Sequence, residues 1–200
     1  MKTDEELLKA WRAGDSAAGA TLFERHYATV YRFFCNKVPE PRDFIQLTFV
    51  GCLESVGGFR QDAAFRTFLV GIAINVLRNH YRQQGRGARG MDVLERSFTS
   101  DLGHSPSAVI EARDQDRLLL AGLRRLPVES QVLVELRFWE GLKVTELAEL
   151  LDRPLGTIKT RIRRAMELLR QHITELATSP QGLSSTLTTL DQWAEQVRSA

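Results

Sequence analysis

VTELAELLDRPLGTIKTRIRRAMELLR, residues 144–170, divides into two amphipathic halves around Asp152-Arg153-Pro154. In the first half Leu147, Leu150 and Leu151 share a side, and Ala148 is small where a crossing helix comes close. In the second, Ile158, Ile162, Ala165, Met166 and Leu169 recur at the spacing of one helix face. Asp152 stands at the turn position usually held by glycine, and Asp is among the few residues that tolerate the left-handed conformation. Pro154 suits a helix start, where its missing N–H is not needed. The pattern is a helix-turn-helix. The other face of its second helix presents Lys159, Thr160, Arg163 and Arg164, with Arg161 in the same basic run. Arginine forks match the O6 and N7 atoms of guanine in a major groove, and the remaining cations suit phosphates. A solvated basic face on an ordinary helical hairpin is the plainer alternative, and the pattern does not specify a class of regulator.

The rest of the chain bounds the answer. Of 200 residues, 43% are apolar and 26% charged, the balance of a soluble globular protein with room for one or two cores. No apolar run approaches the ~18–20 residues of a membrane span. The start, MKTDEELLKAW, is acidic where a secretory signal is basic and then apolar, so a cytoplasmic protein is expected. Net charge is +2, but the distribution is uneven. Between Thr157 and Arg170, Lys159, Arg161, Arg163, Arg164 and Arg170 stand against Glu167 alone, the footprint of a phosphate-binding surface.

Periodicity is helical throughout, so an all-α fold is expected, with no alternating strand pattern. Thr3-Asp4-Glu5-Glu6 reads as a capping box. Phe23, Tyr27, Val30, Tyr31, Phe34 and Val38 form one apolar stripe, broken by Pro39 and Pro41. Ile45, Phe49, Cys52, Leu53 and Val56 form a second, ended by Gly57-Gly58. Phe65, Phe68, Leu69, Ile72, Ala73, Val76, Leu77 and Tyr81 form a third. Residues 84–107, rich in Gly and Ser, read as a flexible linker. The expected organisation is a helical domain over 1–84, a linker over 85–107, a helix-turn-helix domain over 108–173 and an extension over 174–200.

DFIQLTF (Asp43–Phe49), GGFRQDAAFRTFL (Gly57–Leu69) and IAINVLRNHYR (Ile72–Arg82) resemble the second region of extracytoplasmic-function (ECF) sigma factors. LPVESQVLVELRFWEGLKVTELAELLDRPLGTIKTRIRRAMELLR resembles the fourth region of the same family. The resemblance covers roughly residues 4–173, and two motif blocks in the right order are more specific than either alone. It implies a subunit that directs RNA polymerase core to promoters and helps open the DNA. The second domain then docks on the β flap and reads the −35 element through Lys159, Thr160, Arg161, Arg163 and Arg164. The first melts the −10 element. Phe59, Arg60, Gln61 and Asp62 match the loop that captures a flipped base, and extruding a base costs only a few kcal/mol. On the following helix Thr67, Gly71, Asn75, Arg78 and Arg82 line up at spacings of three and four, a row suited to a DNA strand. Phe65 and Phe68 are read as core, Phe68 replacing the family's usual Trp. Asp43, Gln46, Leu47 and Val50 match the face that grips the β′ clamp helices. Here the chain departs from the family, carrying Pro41-Arg42 before Asp43 and Leu47 after Gln46 where further acidic residues are usual.

Other candidates read as structural. His26, His80, His104 and His172 share no metal-ligand spacing, Cys35 and Cys52 read as buried reduced thiols, and no cofactor, metal site or enzymatic constellation is expected. A stand-alone helix-turn-helix regulator is the main rival, but a two-component receiver needs a parallel sheet and an acidic pocket, and residues 1–84 show neither. A degenerate paralogue acting only as an interaction protein is the second rival. An anti-sigma factor, a Ser/Thr kinase and the chain's own tail stay open as means of control. Phosphorylation beside Asp43 would restore negative charge, and Thr48 is the nearest hydroxyl, though helical geometry turns it towards the core. In the tail, Leu183, Leu187, Leu190, Ala194 and Val197 outline a short amphipathic helix with Trp193 alongside. It is expected either to cap its own domain or to screen Arg163 and Arg164.

Overall fold

The computed structural model describes residues 2–59, 64–84, Leu94 and 114–198, and among these the secondary structure is entirely helical. Two compact units, Met1–Gln84 and Gly85–Ala200, each hold their own core. The expected linker over 85–107 lies outside the described residues apart from Leu94. No helix among the described residues is long and apolar enough to cross a membrane.

The first unit contains α1 (Asp4–Arg12), α2 (Ser16–Cys35), α3 (Pro41–Ser55), a 3₁₀ turn (Val56–Gly58) and α4 (Phe65–Gln84). The Thr3–Glu6 capping box forms: the Glu6 amide donates to Thr3 Oγ1 at 3.2 Å and the Thr3 amide to Glu6 Oε2 at 2.7 Å. Gly14, at φ +102°, turns the chain, and the Asp15 carboxylate caps α2 by accepting from the amides of Ala17 and Ala18. Asp4 ties α1 to α2, accepting from Arg25 at 2.5 Å and pairing with His26 Nε2 at 2.7 Å. Burial alone raises the Asp4 pKa, but the hydrogen bonds and charges of Arg25 and His26 outweigh it and hold the carboxyl below the ordinary range. This link therefore stabilises above the ordinary carboxylate pKa and is lost as pH falls through the lowered value.

Three faces differ from the sequence expectation. On α2 the buried line is Leu22, His26, Val30, Phe33 and Phe34, while Tyr27 is exposed and stacks on Tyr31 along the flank. On α4, Val70 and Ile74 are buried and Ile72 and Val76 only half-buried; Thr67, expected in the polar row, is buried too. On α3, Leu53 leaves the expected core stripe and faces outward. The core side of α3 is held by Ile45, Thr48 and Cys52. Thr48 is fully buried and its hydroxyl donates to the Phe44 carbonyl at 2.8 Å, which removes it as a site a kinase could reach in the folded unit. Burial pushes the Cys52 thiol up to about 12, far from a reactive thiolate.

The second unit contains α5 (Asp114–Arg124), α6 (Val128–Phe138), α7 (Val144–Leu151), α8 (Leu155–Leu176) and α9 (Pro180–Arg198). Helix α6 is buried nearly all round, with Val128, Val132, Leu133, Val134 and Leu136 enclosed. Helix α5 meets α8 at Gly122, where a Cβ would lie 2.8 Å from Ile173 Cγ1, so only glycine allows this approach. Helix α9 packs on α5 and α8, burying Thr186 and Leu190, and Asp191 pairs with Arg170. The side chains of Trp193, Ala194 and Val197 lie outside the described residues. Arg163 and Arg164 remain exposed beside the described side chains of α9, the arrangement expected of a cap. Ending the chain after Thr178 should lower the melting temperature by several degrees, since exposing the Leu190 site alone forfeits ~1.5–3 kcal/mol. DNA affinity should stay at the parental value in the same truncation; tighter binding would contradict the cap.

Candidate nucleic-acid interface

The helix-turn-helix is built as its residues dictate. Asp152 adopts φ +52°, ψ +55°, the left-handed conformation, and the Arg153 amide reaches back to the Ala148 carbonyl at 3.0 Å to close α7. Pro154 immediately precedes α8. Ile158, Ile162, Ala165, Met166 and Leu169 are all buried, with Ile173 one turn further, which fixes the rotation of α8 about its axis. Lys159, Arg163 and Arg164 are consequently exposed, Arg164 on the side away from the core and Lys159 and Arg163 along one flank. Thr160 is half-buried, and its hydroxyl donates to the Gly156 carbonyl at 2.9 Å.

Arg161 departs from the expected row. Its guanidinium donates to the carboxylate of Glu129 on α6, whose side chain is only 6% exposed. The carboxylate is drawn under the domain surface with the guanidinium as its counter-charge. Arg161 thus ties the recognition helix to the helix beneath it. Its partner lies 32 positions away, and no local pattern announces it.

In the first unit two surfaces form. On α4, Asn75 and Arg82 are exposed and Arg78 is half-buried; Arg78 Nη1 donates to Asn75 Oδ1 at 3.0 Å, joining amide and guanidinium into one polar strip. Phe59 stacks on Phe68 with ring centres 4.4 Å apart, beside buried Phe65. Arg60, Gln61 and Asp62 lie outside the described residues. On α3, Asp43, Gln46, Leu47 and Val50 are all exposed and share a face. Leu47 is 54% exposed and Val50 42%; Leu53, at 54%, extends that face by a further turn, although its spacing predicts a core position.

Comparison with known proteins agrees with this architecture. The family described as "Sigma-70 region 2" matches residues 22–87, and "Sigma-70, region 4" matches 116–169. An "ECF RNA polymerase sigma-E factor" of Haemophilus influenzae is 30% identical over 186 residues, covering 87% of this chain and 97% of that protein. Its namesake from Escherichia coli (strain K12) is 29% identical over 185 residues, covering 87% and 96%. Among solved structures, CnrH in complex with the cytosolic domain of CnrY aligns with a TM-score of 0.61 at 23% identity, covering 87% of this chain and 99% of that one. The sigma factor RpoE in complex with the anti-sigma factor NepR from Bartonella quintana aligns at 0.56 and 17%, covering 75% and 92%. These two likenesses establish the shared fold.

Two helical units, the second a helix-turn-helix with a basic recognition helix, define the sigma-70 class of transcription initiation protein. Within it the chain belongs to the ECF sigma factors, and its role is promoter-directed transcription initiation.

Proposed function

We propose that this chain acts in the cytoplasm, with α3 gripping the β′ clamp of RNA polymerase core and α4 engaging the −10 element. In the second unit α8 reads the −35 element while the domain rests on the β flap. Phe59, Arg60, Gln61 and Asp62 receive an unpaired base, and Asn75, Arg78 and Arg82 follow the separated strand. Lys159, Arg163 and Arg164 contact bases and phosphates in the major groove, whereas Arg161 serves the fold.

One observation carries this reading: the exposed apolar line of Leu47, Val50 and Leu53, flanked by Asp43, Gln46 and Glu54, on a helix whose opposite face is closed into the core. Such a face suits a subunit that docks on a larger partner. The polar neighbours keep the line soluble until a partner covers it. Apolar contact also compensates for the reduced acidic charge beside Asp43.

Replacing Leu47 with Asn, which removes the apolar contact without adding charge, should leave the unit folded, because the side chain is exposed. It should weaken core polymerase binding by ~10–150-fold, the equivalent of a leucine burial worth ~1.5–3 kcal/mol. Binding of a duplex −35 fragment should not change. Fluorescence titration of labelled protein with core measures this, and parental core affinity would remove α3 from the clamp interface.

The α4 strip makes a separate prediction. Asn75→Ala should leave core and duplex binding intact but reduce permanganate reactivity of thymines in the melted region. Unchanged reactivity would take Asn75 out of the strand-binding row.

A further inference from the structure

We propose that Arg12, on α1, is a positioning residue for promoter opening, because it sets the point from which the chain leaves towards Arg60, Gln61 and Asp62. The inference rests on the reading that this segment receives an unpaired base. Arg12 reaches across 44 positions to the 3₁₀ turn: Nε and Nη2 donate to the Val56 carbonyl at 3.1 and 2.6 Å. Nη2 also donates to the Phe59 carbonyl, and the guanidinium carbon lies 5.9 Å from the Phe59 ring centre. One planar fork therefore holds the carbonyls on both sides of Gly57-Gly58.

That fork restrains a turn whose two glycines pack against nothing. Gly57 and Gly58 are exposed, and a Cβ at either would meet nothing within 4 Å. Two glycines in open space leave the turn free to sample many backbone conformations. Among the described residues it is restrained by the Val56–Phe59 backbone bond of 3.3 Å, the Phe59 ring on Phe68 and the Arg12 fork on the two carbonyls. Helix α1 is a firm base for the fork, since Leu7 and Leu8 are buried and Asp4 is bonded to Arg25 and His26. A guanidinium suits the position better than an ammonium, because its donors diverge in a fixed plane and meet two acceptors at once. Arg12 acts through the backbone of the turn and touches no base itself.

The test uses holoenzyme assembled from core polymerase and full-length protein. The probe is a fork-junction fragment from upstream of the protein's own gene, with its non-template strand unpaired and one abasic site placed at each position in turn. The parent should lose roughly tenfold in affinity at one position, the scale of a single stacked base. Arg12→Met keeps the aliphatic stem and removes every donor; it should bind core like the parent yet show less than about threefold loss at that position. Arg12→Ala should behave as Arg12→Met does. A parental tenfold loss in Arg12→Met overturns the role of the fork. A parent indifferent to every abasic site overturns base capture itself, and the inference with it.

Discussion

Replacing Arg161 with Ala is expected to destabilise the second unit by about 3 kcal/mol, the low end of what breaking a buried ion pair costs, because the Arg161 side chain keeps 24% of its surface exposed. The Glu129 carboxylate, 6% exposed, would lose the guanidinium that offsets its removal from water. For a unit of this size that loss moves the melting temperature by more than about 10 °C. Thermal unfolding followed by circular dichroism checks it. An unchanged melting temperature together with weaker promoter binding would return Arg161 to the groove-facing row. Lys159→Ala and Arg163→Ala should melt like the parent, so the three cations of one helix separate into two kinds by thermal unfolding alone.

Arg163→Ala and Lys159→Ala should each weaken binding to a duplex carrying the −35 element. Loss of a base contact costs ~1–3 kcal/mol, or about 5–150-fold, and relaxes specificity at one position. Loss of a phosphate contact weakens all sequences alike and lowers the slope of log affinity against log salt by about one. Anisotropy titrations over a series of salt concentrations, with cognate and single-substitution duplexes, tell the two apart. The residues stand one turn apart on α8, so the double variant need not sum its parts. Parental affinity in both single variants would mean that this face of α8 does not enter the groove.

The helix-turn-helix was legible because local rules and packing agree there. The apolar spacing over Ile158–Leu169, the turn at Asp152 and Pro154 before the helix all point to one structure, and the chain adopts it. The rotation of α2 and α4 was less legible, because both helices carry more apolar residues than one face can hold. Tyr27 and Ile72 satisfy the same periodicity as Val30 and Ala73; packing among three helices selects between them. Leu53 failed for the same reason, and the outward line it extends was visible only up to Val50. Arg161 shows a firmer limit. At ~100° per residue, Lys159 and Arg161 lie at comparable angles on either flank of the apolar stripe. Which flank meets Glu129 is decided by the placement of α6, and no spacing within α8 encodes it. The bonds from Arg12 to the turn at Val56 are likewise tertiary, joining positions 44 apart through two backbone carbonyls that carry no side-chain signal.

On the proposed reading the open α3 face holds polymerase, the basic α8 face finds the promoter and α4 opens it. Transcription by purified core polymerase on a linear template spanning the region upstream of the protein's own gene tests this most directly. With the protein present, a transcript from a single start site should appear, absent with core alone and lost on Leu47→Asn or on Lys159→Ala combined with Arg163→Ala. A protein that binds the template but yields no dependent transcript would contradict the account and leave a DNA-binding protein without the initiating role.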